Sequence, residues 1–362
     1  MGKEKKIFIA ATRQNDGKTV VSVGLVLTLK KIFSKVGFIK PVGQKYVLVD
    51  GEKVDKDAIL MKKVCGIEEN LKDINPIAVE EGFTQRYLDS PNPSDLIKKI
   101  KESYEKVSAG KDVVVIEGTG HAGVGSIFDL NNSTVAKILE SPVLLVSIGG
   151  IGRPVDEISL NAVFFEKEKV PLKGVIINKI ISEKRHTVEK YIKRGLDKMN
   201  IKLLGLIPFV SLLSQPNLFQ ICESVKGKAI AGEEKLFKKI ENIIVGAMTP
   251  RHALNFFKPN SLLITPGDRE DLILAALSQH SVLTPPYELI SGIVLTGGLY
   301  PHKTILDIIK KIDLPTIITS GDTYEVASEI HGLVAKIREE DIDKIEIAQK
   351  LVEENINISE IF

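Results

Sequence analysis

The stretch IFIAATRQNDGKTVVSVGLVLTLKKIF, which runs from Ile7 to Phe33, decides the fold. It starts as a continuous apolar run, breaks into a polar loop and resumes with apolar residues, so it predicts a strand, a loop and a helix. Gly17 would let backbone N–H groups approach phosphate oxygens, Lys18 would reach the β- and γ-phosphates, and the Thr19 hydroxyl would bind Mg²⁺. The segment therefore predicts a P-loop, which binds a nucleoside triphosphate.

One position departs from the general P-loop pattern GxxxxGK(S/T), whose first glycine would fall at Thr12. A chance Gly-Lys-Thr after a strand is the alternative interpretation. The apolar run before the loop and the helical pattern after it favour the P-loop.

The first two hundred residues alternate short apolar runs with longer helical patterns. The runs are apolar throughout rather than alternating, which is typical of parallel strands covered by helices on both faces. They are KIFIAA from Lys6, VGFIK from Val36, DVVVIEG from Asp112, VLLVSIGG from Val143, KGVIINK from Lys173 and KLLGLIP from Lys202. The pattern predicts an α/β fold, with a doubly wound parallel-sheet P-loop NTPase domain at residues 1–212. A smaller α/β domain follows at residues 213–362, ending in a solvated helical tail from Ile337.

The second domain contains a repeated pattern, in which three apolar runs are each followed by a Thr, a Gly and the start of a helix. If the three strands are neighbours, these turns could form one pocket for an anionic metabolite. They could equally be ordinary βα turns with helix caps. The residues of this possible second ligand site are Gly267, Asp268, Arg269, Thr296, Gly297, Gly298, Gly321 and Asp322.

Four more residues in the first domain have the chemistry of a nucleotide and metal site. Glu117 ends a strong strand, where ligands gather in parallel sheets, and Asp57 is a second carboxylate, although Asp55 lies too close in sequence to be excluded. Asn178 has the donor and acceptor that an adenine edge requires, with a turn-forming role as the alternative. His121, in a glycine-rich loop, could assist binding or simply be exposed.

Composition excludes some partners. Net charge is +2, from 49 basic and 47 acidic residues, which gives no bias towards nucleic acid or a membrane surface. The apolar start is too short for a signal peptide, and no run approaches the ~20 apolar residues that span a bilayer. We therefore expect a cytoplasmic protein that contacts neither nucleic acid nor membrane.

Residues 5–210 resemble dethiobiotin synthetase and the related amidoligases of cobyrinic acid synthesis. AATRQNDGKT is similar to the longer P-loop of that family, IKPVG to its Lys-Pro-Val segment, KDAIL to its acidic segment, VVVIEGTG to its Glu-Gly segment, and VIIN with GLIP to its late strands. The resemblance implies ATP and Mg²⁺ as cofactors, with metal held by Thr19, Asp57 and Glu117. It assigns catalytic roles to Lys18 and Lys40. Nucleotide contacts are implied for Ala11, Thr12, Asn15, Asp16, Gly17, Lys18, Thr19, Val20 and Asn178.

Two departures change the functional expectation. The Lys-Pro-Val segment continues as Gly43, Gln44 and Lys45, where dethiobiotin synthetase carries a serine near its substrate. The motifs ITPGDREDLILAAL, GIVLTGGLYP and IITSGDTYEVA lie within residues 213–335, and this part resembles the DRTGG domain of long phosphotransacetylases, but nothing resembles the acyltransferase domain. The resemblance implies an ATP- and Mg²⁺-binding regulatory or metabolite-sensing module, a homodimer, without phosphotransacetylase activity of its own. The alternative is an ATP-dependent ligase or carboxylase that forms an acyl or carbamoyl phosphate.

Overall fold

The computed structural model describes residues 4–282 and 289–362, which fold as two compact units. The first comprises Met1–Val210 together with Ile337–Phe362, and the second comprises Ser211–Lys336. The strands before residue 211 are β1 (Lys5–Ala11), β2 (Val36–Ile39), β3 (Val42–Gly43), β4 (Tyr46–Val49), β5 (Glu52–Asp55), β6 (Ile77–Ala78), β7 (Val113–Glu117), β8 (Val143–Ile148), β9 (Leu172–Ile180) and β10 (Leu203–Pro208). The helices are α1 (Lys18–Leu29), α2 (Lys56–Val64), α3 (Leu71–Ile74), α4 (Phe83–Asp89), α5 (Pro93–Ser108), α6 (Asn132–Ile138), α7 (Gly152–Lys167) and α8 (Arg185–Asp197).

Six of these strands form one parallel sheet in the order β10-β9-β8-β1-β7-β2. They are the six strands predicted from the continuous apolar runs, and the α/β fold with a parallel P-loop sheet is confirmed. Most of their side chains are buried because helices cover both faces. The strand β1 lies centrally, so the loop that follows it opens at the carboxyl edge of the sheet, next to the ends of β7 and β8.

The second unit contains a five-stranded sheet in the order β11-β15-β14-β13-β12, in which β11 is antiparallel to β15 and the other pairs are parallel. Its strands are β11 (Lys228–Ala231), β12 (Asn242–Val245), β13 (Ser261–Pro266), β14 (Ile290–Thr296) and β15 (Thr316–Ile318). Its helices are α9 (Leu218–Ser224), α10 (Pro250–Ala253), α11 (Glu270–Val282), α12 (Lys303–Ile312) and α13 (Thr323–Gly332). A smaller α/β domain therefore follows the first, as the sequence predicted.

The last helix, α14 (Ile342–Asn355), groups with the first unit. The sequence assigned this tail to the second domain as a solvated helix, and the structure differs for a packing reason. Its buried face includes Ala348, Leu351 and Val352, and the backbone of Ala348 lies against Gly24 of α1. After α14, Asn357 N donates to Leu204 O of β10. Burial of this apolar face, which the tail alone could not achieve, stabilises its return to the first sheet.

No helix in the described part of the chain has both the length and the apolar character needed to cross a membrane.

Candidate functional site

The loop between β1 and α1 is held by the carboxylate of Asp16. Its Oδ2 accepts a hydrogen bond of 2.7 Å from Thr12 Oγ1 and one of 2.8 Å from Arg13 N. Thr12 Oγ1 also lies 3.0 Å from Ser147 Oγ at the end of β8. Burial raises the pKa of Asp16, although these two hydrogen bonds oppose the shift. The side chains of Asp16 and Thr12 therefore fix the conformation of the loop through hydrogen bonds inside it.

Gly17 occupies a backbone position that no other residue could take without strain. Its φ is +101°, and a Cβ placed on it would lie 2.1 Å from Asn178 Nδ2. Asn178 Nδ2 donates to Asp16 O at 2.9 Å, and Asn178 Oδ1 accepts from Lys179 N at 2.8 Å. Asn178, which the sequence predicted to contact a base, thus stabilises the conformation of the P-loop. Its contact with a base stays a prediction. Lys179 Nζ also donates to Asn15 O, at 2.8 Å.

Lys18 begins α1 and points to the loop that follows β7. Its Nζ donates to Gly120 O at 3.0 Å, the one hydrogen-bond partner of Lys18 within residues 4–282 and 289–362. Burial lowers the pKa of Lys18 to about 8, because the attraction of Glu117 offsets only part of the desolvation and Lys40 adds repulsion. A buried ammonium with so little compensation would be stabilised by any anion that reached it.

Lys40 and Glu117 meet because β2 and β7 are neighbours with Ile39 beside Ile116. Lys40 Nζ lies 2.9 Å from Glu117 Oε1, 2.5 Å from Asp57 Oδ2 and 3.4 Å from Asp55 Oδ1. Burial alone would lower the pKa of Lys40, but these carboxylates outweigh it and hold that pKa well above its ordinary value. Lys40 is only 4% exposed and is neutralised by its neighbours.

Asp55 and Asp57, which the sequence could not distinguish as metal ligands, have different contacts in the structure. Asp55 Oδ1 accepts from Asp57 N and caps α2, and its Oδ2 accepts from Lys45 N at 3.1 Å. Asp57 instead turns its carboxylate to Lys40. A Cβ on Gly43 would lie 2.4 Å from Asp55 Cβ, so Asp55 fills the space beside the segment that departs from the synthetase pattern.

A metal ion would find one prepared acceptor here. Glu117 is fully buried, and its Oε2 has no hydrogen-bond partner in the described part of the chain. Among the described residues, no group of three or more His, Cys, Asp or Glu could hold a metal ion by itself. Mg²⁺ commonly binds through one or two carboxylates, water and substrate phosphates rather than an all-protein cage. The residues present therefore fit a Mg²⁺ ion that arrives with a nucleotide, near Glu117 and Thr19.

Sequence reasoning missed two asparagines that connect the loops. Asn161 of α7 accepts from Ala122 N at 2.8 Å and donates to Thr12 O at 3.2 Å. Asn132 accepts from Thr119 N at 3.0 Å and donates to His121 O at 2.8 Å. Each is a buried amide in a helix. The signal in the sequence is a polar residue on the apolar face of a predicted helix, because buried polar groups normally form hydrogen bonds.

The candidate His121 and the nearby Arg153 both have contacts at the surface. His121 is exposed, and its Nδ1 accepts from Gly123 N at 3.2 Å. Arg153, near the start of α7, pairs with Glu157 at 2.8 Å, and Arg13 lies 2.9 Å from the other oxygen of that carboxylate.

The three Thr-x-Gly turns of the second unit do come together at the carboxyl edge of its sheet. Gly297 N donates to Gly321 O and Gly298 N to Thr319 O, both at 2.8 Å. The Thr296 hydroxyl lies 2.7 Å from that of Thr323. Asp322 caps α13 by accepting from Glu325 N. These backbone donors join the turns to one another.

Arg269 is equally occupied. Its guanidinium pairs with both oxygens of Asp271, at 2.9 and 3.0 Å, and donates to the carbonyls of Gly246 and Met248. A Cβ on Gly267 would lie 1.7 Å from Leu299 O, so that glycine makes room for the chain. The geometry favours the interpretation of these residues as turns and helix caps, and a ligand here stays a prediction.

Comparison with known proteins matches both parts of the chain. Residues 5–217, more than half of the chain, match a family model described as an AAA domain, and residues 220–333 match the DRTGG domain. The phosphate acetyltransferase of Synechocystis sp. is 26% identical over 362 residues, covering 97% of this chain and 50% of that protein. That of Pseudomonas putida is 27% identical over 367 residues, with the same coverage of both. The chain spans about half the length of these curated relatives.

Matches to solved structures have lower sequence identity and low TM-scores. The Aquifex aeolicus MinC:MinD complex gives a TM-score of 0.37 at 16% identity, covering 58% of this chain and 83% of that chain. A putative plasmid partition protein of Borrelia burgdorferi bound to AMPPNP gives 0.38 at 18% identity, covering 59% and 90%. The CBS and DRTGG domains of the regulatory region of Clostridium perfringens pyrophosphatase, complexed with diadenosine tetraphosphate, give 0.27 at 16% identity, covering 56% and 84%.

Proposed function

This chain belongs to the AAA domain family over residues 5–217 and carries a DRTGG domain over residues 220–333, and from that premise we propose that it is an ATP- and Mg²⁺-binding regulatory protein. The first unit binds the nucleotide, and the second responds to it or to a metabolite. Two observations carry the proposal: the desolvated Lys18 ammonium, whose one hydrogen-bond partner among the described residues is Gly120 O, and the Glu117 Oε2 atom, which has no hydrogen-bond partner among them. Such a pair suits a phosphate with its metal ion.

The roles follow from position. Lys18 would bind the β- and γ-phosphates, and the N–H groups at the start of α1 would surround the same oxygens. Thr19, Asp57 and Glu117 would hold Mg²⁺, directly or through its water molecules. Asn178 would keep the loop in its phosphate-binding shape through Asp16 O and lie near the base.

The state of Lys40 favours regulation over the ligase alternative. A lysine that stabilises a transferred phosphate needs its charge to be available. Here three carboxylates surround its ammonium, and Asp55 fills the neighbouring space. The ligase alternative is supported by the position of Lys40, which contacts Glu117 and lies close enough to Lys18 to repel its charge. A Mg²⁺ ion bound by the carboxylates would draw them away from Lys40 and leave its charge available.

Nucleotide binding is tested by titrating the chain with ATP and MgCl₂ and by following its melting temperature. Lys18→Met is expected to lose at least about hundredfold in affinity, since charge-assisted hydrogen bonds to phosphate are lost. The variant should still fold, because keeping Lys18 charged and buried costs the empty protein about 3 kcal/mol by its lowered pKa. Retained affinity in Lys18→Met, or no wild-type response at millimolar Mg-ATP, would contradict the proposal.

The metal and ligase questions need two further variants. Glu117→Gln is expected to weaken binding of Mg-ATP while leaving the affinity for metal-free ATP within about threefold, because an amide is a poorer Mg²⁺ ligand. ADP release is then measured with candidate carboxylates. ADP formed only with one carboxylate, and lost in Lys40→Met, would replace the regulatory function with the ligase.

A further inference from the structure

The helix α8 carries a concentrated positive charge on its outward side. Lys190, Lys193, Arg194 and Lys198, here called the α8 patch, are all exposed. A net charge of +2 over the whole chain gives no bias towards polyanions, but that sum does not reveal how the charges are distributed. The α8 patch is therefore a local feature that composition did not indicate.

The cations of the α8 patch are not neutralised by the residues that the structure describes. Within that part of the chain none of the four forms an ion pair, either with Glu189 and Asp197 of the same helix or with a neighbouring element. Lys190 and Arg194 lie over the Tyr191 ring, 5.5 and 5.8 Å from its centroid, and a contact of this kind leaves the charge in place. The α8 patch therefore presents its full charge to the solvent.

The helix α5 of the same unit shows the usual arrangement of charges on a surface helix. Its exposed Lys98 and Lys99 lie 3.8 and 2.9 Å from the carboxylates of Glu102 and Asp95, one helical turn away. Mixed signs of this kind stabilise a helix slightly and avoid a large field of one sign. An ordinary solvated helix surface does not describe the α8 patch, which lacks these pairs.

The density of charge matches that of a nucleic-acid strand. Lys190 and Lys198 are eight residues apart, which is about 12 Å along the helix axis. Each strand of a duplex carries one phosphate per about 3.4 Å of its axis, so about three to four phosphates span the same length. The α8 patch offers four cations over that length, and lysine and arginine are the side chains that proteins use for contacts with phosphates.

We propose that the α8 patch binds the phosphate backbone of a nucleic acid without reading its sequence. A membrane fits less well, because the apolar side of α8, formed by Val188, Ile192 and Leu196, is buried and leaves no apolar face to enter a bilayer. An acidic protein segment also fits less well, since it seldom keeps one negative charge at every repeat as a nucleic acid does. The contact uses no residue of the P-loop and does not rest on nucleotide binding.

The test is the fluorescence anisotropy of a labelled DNA duplex of about 20 base pairs, titrated with the full chain between about 50 and 200 mM NaCl. With about four phosphates neutralised, log affinity should fall against log salt with a slope of about −3.6, a loss of about hundredfold over this range. The double variant Lys190→Gln with Arg194→Gln removes two of these contacts. Its slope should fall to about −1.8, and its affinity at about 50 mM NaCl should be at least about tenfold lower.

The matched control removes the same charge from elsewhere. The helix α5 packs on β2 and β7 and α8 packs on β10, at opposite edges of the main sheet. Lys98→Gln with Lys99→Gln should therefore keep the wild-type slope and an affinity within about threefold. Circular dichroism and the melting temperature check that both double variants fold, as expected for exposed side chains.

Two other polyanions distinguish the occupant. Vesicles containing about 30% phosphatidylserine and polyglutamate are tested at the same concentration of negative charge as the duplex. Both are expected to bind more weakly than DNA. Preferential binding of either one, no anisotropy change at about 100 μM protein in about 50 mM NaCl, or equal losses in the two double variants would overturn the proposal.

Discussion

At the scale of single residues, the positive charge of Lys18 is only partly compensated by its neighbours. Its charge is buried beside Lys40, and its pKa falls to about 8 because Glu117 compensates only part of the desolvation. Lys40, in contrast, is surrounded by carboxylates and stays charged. An arriving triphosphate would therefore interact first with Lys18, and the protonation of Lys18 would be coupled to binding.

This coupling predicts how affinity depends on pH. Bound phosphates favour the charged lysine and raise its pKa, so affinity is constant below about pH 8 and falls above it, by up to about tenfold per pH unit. Isothermal titration of ATP between pH 7 and 9.5 measures the effect. Lys18→Arg is the control, since an arginine stays charged over this range and should bind with no break near pH 8. A flat wild-type profile would contradict the lowered pKa.

The sequence predicted the residues of this site better than their contacts. Lys18, Glu117 and Lys40 follow strands that end at one sheet edge, so strand order alone brings them together. The pairing of Asn178 with Asp16 O depends on loop conformation, which spacing does not determine. Arg269 looked available for an anion because its partner carbonyls, Gly246 and Met248, are distant in sequence.

At the scale of elements, the packing of α1 against α14 is the feature that sequence patterns could not reveal. Continuous apolar runs predicted every strand of the main sheet, because burial on both faces leaves a clear signature. The tail shows an amphipathic helix, but that pattern does not say which surface covers its apolar side. β11 was also missed, since only its last three residues are apolar, a run too short to indicate a strand.

Gly24 tests this packing, because its missing side chain lets α14 approach. A Cβ there would lie 2.4 Å from Ala348 O and 2.5 Å from Val352 Cγ2. Gly24→Ala is therefore expected to destabilise the protein by about 1–3 kcal/mol, although alanine usually stabilises a helix. Denaturant unfolding measures the change. Gly152→Ala in α7, where no atom of the described residues lies within 4 Å of the added Cβ, should be neutral or stabilising; a stabilising Gly24→Ala would contradict the close contact.

At the scale of the whole molecule, the second unit is an insertion in the first. The chain leaves the first unit at Val210 and returns to it at Ile337, so both ends of the DRTGG-containing unit join the nucleotide-binding one. The returning segment packs on α1, the helix that starts at Lys18. A ligand at the P-loop would thereby stabilise a folding unit whose last helix lies far away in sequence.

Hydrogen exchange can reveal that unit directly. Mg-ATP at about 100 times its dissociation constant adds about 2.7 kcal/mol to the stability of the unit that binds it. Amides of α14 that exchange only when the first unit unfolds are therefore expected to slow together with those of α1, and by more than the amides of β13 and β14 in the second unit. Lys18→Met should abolish the slowing in both helices. If α14 instead exchanged at the rates of the second unit and ignored the nucleotide, the tail would belong to the second unit, as the sequence alone suggested.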